Sequence, residues 1–276
     1  MKNEILRRLS ALALGLALLL NAAPLPQAFA VEDDTDASSS DSADSTDTTD
    51  KTVVTTADND PTVTAAAANA PALDATAALL VSPESDMVLY EKNADEKRYP
   101  ASTTKIMTAL LTLENVSDLS AVVTAEASDF ENVTADSSNA GIKLGEQVTV
   151  KDLLYALMLP SANEAAYMLA RHVGGSWEQF VDMMNERAAE LGCTGTHFCN
   201  PCGLHEDDHY TTAHDLYLIA KEAMKDATFR DIVSTVQHRM AKTNLHEERI
   251  ILTTNQLIFS SFQPWSYANC LGIKTG

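Results

Sequence analysis

Tyr99-Pro100-Ala101-Ser102-Thr103-Thr104-Lys105-Ile106-Met107-Thr108 sets a serine three residues ahead of a lysine, at the start of an apolar periodic run. Ile106, Met107, Leu110, Leu111 and Leu113 recur at helical spacing, which predicts a helix over 104–114. On a helix, positions i and i+3 share a face, so Lys105 reaches Ser102. A serine hydroxyl is a poor nucleophile until a base takes its proton. At the helix start the dipole also favours a developing alkoxide on Ser102. Lys105 serves as that base only as a neutral amine, which burial and a second nearby cation would bring about.

Two further short motifs follow in order. Ser161-Ala162-Asn163 comes directly after Pro160, at a predicted break between helices, so the Ser161 hydroxyl is free to point into a cleft and relay a proton. Asn163 offers a donor and an acceptor, which suits holding Lys105 and a substrate amide. Lys274-Thr275-Gly276 closes the sequence in a stretch, 268–275, that reads as extended. Lys274 and Thr275 would supply a cation and a hydroxyl to a carboxylate, and Gly276 would let a substrate lie against the backbone. Taken singly, Ser102 and Ser161 read equally well as helix caps and the lysines as solvated charges. It is the three motifs together, with interlocking roles, that point to acyl transfer by a serine nucleophile.

Around these motifs the chain divides by composition. Lys2, Arg7 and Arg8 precede an apolar run over 9–20, and Ala28-Phe29-Ala30 offers small residues for cleavage, so 1–30 reads as an export signal. The run is too short to span a bilayer comfortably. Residues 31–72 are rich in Asp, Ser, Thr and Ala and nearly lack bulky apolar side chains, the composition of a disordered acidic spacer. Residues 73–276 carry the folded domain. Two apolar runs, 77–82 and 87–90, flank the turn sequence Ser82-Pro83-Glu84-Ser85-Asp86 and predict a β-hairpin. Helices are predicted after Thr149, from Asn163 to a stop at Gly174-Gly175, after Ser176, and after Thr212. Strands, a helical middle and a returning strand make an α/β (α+β) protein with a helical insert. The net charge of −20 opposes binding of nucleic acid or anionic lipid.

The chain resembles the low-molecular-weight penicillin-binding proteins of the D-alanyl-D-alanine carboxypeptidase type. S-x-x-K, S-x-N and K-T-G are the motif set of penicillin-binding proteins and serine β-lactamases. The likeness extends to the whole Tyr99–Thr108 stretch and to Gly192 with Thr196-His197-Phe198 and Asn200-Pro201-Cys202-Gly203-Leu204. It also takes in Tyr210-Thr211-Thr212-Ala213-His214-Asp215-Leu216 and Gly272-Ile273-Lys274-Thr275-Gly276. The resemblance implies a β-lactamase/transpeptidase-like antiparallel sheet flanked by helices. It also implies an exported enzyme at the outer face of the cytoplasmic membrane or cell wall that needs no cofactor or metal. Its partners would be peptidoglycan stem peptides ending in D-Ala-D-Ala, with β-lactams as inhibitors. Ser102 would be the nucleophile, Lys105 the base, Ser161 the proton relay and Asn163 a further catalytic residue, with Lys274, Thr275 and Gly276 on the substrate.

Family members continue past K-T-G with further strands and a membrane-associating tail. The expectation is therefore a domain lacking its C-terminal strands and one oxyanion donor, with membrane association only through parts absent from this chain. Two other readings stay open. A serine β-lactamase shares the motifs, but Ala162 stands where class A members carry Asp and no E-x-x-x-N follows Asn163. A non-catalytic wall-binding module would have no need of the intact motif residues. Cys193, His197, Cys199 and Cys202 offer zinc-ligand types, yet a single C-x-x-C is weak grounds for a structural zinc site, and none is expected.

Overall fold

The computed structural model describes residues 52–53, 72–134, 136–259 and 266–276. The signal segment 1–30 lies outside them, as does the acidic segment 31–72 apart from Thr52, Val53 and Ala72. Those first two residues form a short strand, β1 (Thr52–Val53), paired antiparallel with Glu91 and Lys92. The predicted hairpin is present as β2 (Ala78–Ser82) and β3 (Met87–Lys92), with Asp86 at positive φ closing the turn. The sheet order is β1-β3-β2, all antiparallel, with a register shift between Leu80 and Val81.

A 3₁₀ turn (Ala101–Thr104) feeds α1 (Lys105–Asn115). Strands β4 (Val122–Thr124) and β5 (Gln147–Thr149) pair antiparallel and lead into α2 (Val150–Met158). Then come α3 (Asn163–Gly174), α4 (Trp177–Glu190), α5 (Ala213–Ala223) and α6 (Ala227–Val233), followed by the hairpin β6 (Gln237–Met240) and β7 (Arg249–Leu252). Among the described residues no helix is long and apolar enough to cross a membrane.

The caps read from the sequence are made. Asp152, Gln179 and Asp215 each donate their backbone N–H to the side chain of Thr149, Ser176 and Thr212 respectively, satisfying donors that a helix start leaves unpaired. Gly175, at φ +83, terminates α3 in a conformation that favours glycine. The Asp152 carboxylate does not complete a capping box; it turns to His238 Nε2 at 2.6 Å and ties α2 to the β6–β7 hairpin.

The core is built on α3, which packs against α1, α2 and α4. Its first two turns, Asn163 to Ala170, are buried all round, as befits a helix with no solvent face. Ala165, Ala166 and Ala170 let neighbouring backbones approach closely, and Leu153, Leu154, Leu157, Met168 and Phe180 fill the space between them.

The extended stretch expected over 268–275 departs from its reading. Residues 268–269 form a turn, Cys270 N–H donating to Tyr267 O, and 270–276 join no ladder. A strand exists only through bonds to a neighbour, and no described strand lies beside this one.

Truncating Leu153, fully enclosed in the core, is expected to lower unfolding free energy by about 2–5 kcal/mol as Leu153→Ala. Leu80→Ala, on the exposed face of β2, is expected to stay within about 0.5 kcal/mol of wild type. Chemical denaturation of the two variants side by side measures the difference.

Candidate active site

The turn that carries Ser102 is held in an unusual backbone. Ala101 takes φ +47, a left-handed conformation uncommon for a residue with a Cβ. Thr103 N–H and Oγ1 both bond back to Pro100 O, at 3.1 and 2.6 Å. This geometry leaves Ser102 half-buried one turn ahead of α1, with Lys105 as the first residue of the helix proper.

Lys105 is completely buried. Its Nζ lies 3.1 Å from Ser102 Oγ, 2.8 Å from Asn163 Oδ1 and 2.6 Å from the carbonyl oxygen of Cys202. Burial pushes its ammonium down to about 8, against a smaller opposing pull from Cys202 and Glu164. Lys105 therefore gives up its proton far more readily near physiological pH than an ordinary lysine does. A neutral amine has two N–H donors and one lone pair. With Asn163 Oδ1 and Cys202 O taking the donors, the lone pair is left for the hydroxyl proton of Ser102.

Ser161 joins α2 to α3 at φ +66, again left-handed for a non-glycine residue. Its Oγ is buried without a hydrogen-bond partner among the described residues. Backbone strain and an unpartnered buried hydroxyl each cost free energy and concentrate at functional sites. The bond from Asn163 N–H to Ser138 O pins the start of α3 beneath the 136–142 loop. The same loop is gripped by buried Glu164, which accepts from Ala140 N–H at 2.7 Å; burial raises the Glu164 carboxyl above its ordinary range.

The C-terminal motif reaches the nucleophile turn. A Cβ built on Gly276 would meet Thr103 Cγ2 at 3.0 Å and Pro100 O at 3.1 Å, so only a glycine fits there without displacement. Thr275 Oγ1 lies 2.6 Å from Thr254 Oγ1, and Lys274 Nζ donates to the Thr275 carbonyl at 2.7 Å. Burial and the charge of Lys105 push Lys274 down to about 7. At Lys105 the cause is burial, with no part for the second cation that was expected from the sequence; at Lys274 the charge of Lys105 adds to burial.

Motif reading did not assign a role to the loop 199–204. Asn200 Oδ1 gathers the backbone N–H groups of Cys202, Gly203 and Leu204, bending the chain so that Cys202 O faces Lys105. A Cβ on Gly203, at φ +89, would lie 1.8 Å from Ala101 O. Thr108 Oγ1 adds a bond to Pro201 O at 2.6 Å. The Asn-Pro-x-Gly turn chemistry was visible in the sequence; its target was not. The cysteine thiols face different partners: Cys193 the carbonyl of Asp215, Cys199 the ring of His197, and Cys202 the side chain of Asn200. Among the described residues no three His, Cys, Asp or Glu side chains are grouped to hold a metal.

A sequence model of the peptidase S11 family, described as D-alanyl-D-alanine carboxypeptidase, matches residues 64–276. The D-alanyl-D-alanine carboxypeptidase DacF of Bacillus subtilis is 34% identical over 201 residues, covering 72% of this chain and 50% of its own length. The D-alanyl-D-alanine carboxypeptidase of Streptomyces sp. strain K15 is 36% identical over 204 residues, covering 68% of this chain and 67% of its own. The crystal structure of the Streptomyces K15 DD-transpeptidase superposes with a TM-score of 0.68 at 36% identity, over 75% of this chain and 81% of that one. The chain thus spans from half to two thirds of the length of these curated relatives.

Because Gly203 abuts Ala101 O, Gly203→Ala is expected to push the 199–204 loop off the nucleophile turn. Amide hydrogen exchange at Cys202, Gly203 and Leu204 should accelerate in the variant while α2 amides keep their protection.

Proposed function

The chain belongs to the D-alanyl-D-alanine carboxypeptidase (peptidase S11) family, and on that footing we propose that it removes the terminal D-alanine from peptidoglycan stem peptides through an acyl-enzyme on Ser102. One observation carries this reading: a fully buried lysine amine, depressed to about 8, within 3.1 Å of a half-buried serine hydroxyl.

Lys105 takes the proton from Ser102 Oγ as that oxygen attacks the carbonyl of the penultimate D-alanine. A tetrahedral intermediate forms, with its negative oxygen facing the backbone N–H of Ser102. The C–N bond to the terminal D-alanine then breaks, and its nitrogen receives a proton passed from Lys105 through the Ser161 hydroxyl. The Ser161 hydroxyl is committed to no other protein group among the described residues and is free for that relay, which requires it to come within bonding distance of Lys105. Asn163 fixes the Lys105 amine and has an N–H₂ left for the substrate amide. Lys274 and Thr275 receive the terminal carboxylate, and Gly276 lets the motif backbone lie close against the turn that carries Ser102. Water then adds to the acyl-enzyme carbonyl, and the reverse proton movements release Ser102. A β-lactam presents its strained amide to the same hydroxyl and acylates it, with no leaving amine to diffuse away. The substrate places the reaction outside the cytoplasm, in keeping with the signal read at 1–30.

The K15 relative bears both names, carboxypeptidase and DD-transpeptidase. Both reactions share the acyl-enzyme and differ in whether water or an amine resolves it, so product analysis with an added amino acceptor measures the partition in this chain.

Penicillin is expected to leave one covalent adduct on the Ser102 peptide by mass spectrometry, absent in Ser102→Ala. Lys105→Arg should acylate at least about 10²-fold more slowly, because a guanidinium does not give up its proton. Rapid penicillin turnover with no accumulating adduct would instead identify a β-lactamase.

The pH profile follows from the depressed Lys105. The working form of Lys105 is deprotonated, so the saturating acylation rate is expected to rise as pH increases through about 8, while binding of the carboxylate weakens as Lys274 loses its proton through about 7. Stopped-flow acylation between pH 6 and 10 measures the limb; a profile flat across that range would exclude Lys105 as the base.

A further inference from the structure

The buried ring of His209 is not part of the three motifs, yet it joins the two segments that hold the reacting pair. On one side is the turn Ala101–Thr104, which carries Ser102; on the other is the loop 199–204, whose Cys202 carbonyl holds Lys105. Cys199 N–H donates to His209 Nδ1 at 3.0 Å. A nitrogen that accepts from an amide carries no proton, so the ring proton is on Nε2. Nε2 lies 2.8 Å from Thr104 Oγ1 and donates to it. The backbone N–H of His209 donates to Glu206 O at 2.9 Å, and its ring makes edge contact with Phe198.

We infer that His209 is a positioning residue for acylation, its neutral Nε2–H tautomer clamping the loop 199–204 to the nucleophile turn so that Ser102 and Lys105 stay in register. The inference rests on the acyl-transfer reading above. Thr104 is buried and adjacent to Lys105 in sequence, so a shift of its side chain moves the first turn of α1 directly. The close approach of Gly203 to Ala101 O packs the same two segments but has no directional bond of its own. The clamp supplies that direction: one hydrogen bond to each segment, through a rigid planar ring 2% exposed to solvent. An imidazolium would have to present a donor to the Cys199 N–H, and burial accordingly pushes His209 down to about 4.

The test uses the full chain and measures the saturating acylation rate and the half-saturating concentration separately with a fluorescent penicillin. His209→Leu removes both bonds and should lower the saturating rate by about 10²-fold, the scale on which small misplacements near a reacting centre act, while the half-saturating concentration changes little. Thr104→Val keeps the shape and removes only the acceptor, and should fall in the same direction. His209→Gln presents an amide N–H near the Nε2 position and should recover most of the rate. Tyr155→Phe, which loses a bond to Asp231 elsewhere on α2, calibrates the effect of a comparable loss of stability. If His209→Leu does not fold, Thr104→Val and His209→Gln decide the matter alone.

Wild-type rates in Thr104→Val overturn the inference while leaving the acyl-transfer reading intact, as does an equal loss in Tyr155→Phe at matched melting temperature. A wild-type chain that never acylates overturns both. Independently of activity, nitrogen-15 NMR should show His209 protonated at Nε2 and bare at Nδ1 at pH 7; the opposite tautomer overturns the clamp.

Discussion

The burial of one ammonium-bearing side chain governs this structure. Lys105 sits where water does not reach, and an unpaired charge there would be prohibitively unfavourable. Two adjustments make the position tolerable. The amine loses its proton readily, and its remaining donors find Asn163 Oδ1 and Cys202 O. Each adjustment constrains a different part of the fold. Asn163 must open α3 against α1, and the loop 199–204 must return across some hundred residues of sequence to offer one carbonyl at 2.6 Å. The same desolvation that makes the lysine difficult to bury lowers its hold on the proton, which is what the proposed role as base requires.

The polar network that brings the loop back is nearly self-contained. Asn200 organises the bend with its side-chain oxygen and donates to Leu204 O and Glu206. Asp215, at the start of α5, receives Gly195 N–H and the Thr196 hydroxyl, both at 2.7 Å. These bonds stand in for a regular ladder in a segment that has almost none, in keeping with the rule that buried backbone polar groups find partners. Glycine is required at Gly203 because the loop passes too close to Ala101 O for any Cβ.

Strain is placed at the two serines. Ala101, next to Ser102, and Ser161 itself adopt left-handed backbone. The surrounding helices α1, α2 and α3 are apolar and tightly packed, and their burial offsets the cost of these conformations.

Helix positions and their caps were legible in the chain because 3.6-residue periodicity and Ser/Thr capping are local signals: Thr149, Ser176 and Thr212 each cap where their spacing to Asp152, Gln179 and Asp215 implied. The pairing of Ser102 with Lys105 was legible for the same reason, since three residues of helix bring them together. The short strands β4 to β7 and the helix α6 were not read, being too brief to show a period. The extended segment 268–275 was read as a strand from composition, but strand bonds depend on a neighbour and no described strand flanks it. What the sequence determined by itself was the inventory of chemistry and its local geometry: a serine and a lysine three residues apart at the start of a helix. Only the tertiary structure decided the environment of that lysine. Its lowered proton affinity comes from burial beneath α3 and the His209-supported loop 199–204, segments that meet it across 58 to 105 residues of sequence, and no local pattern encodes how far a side chain will be removed from water.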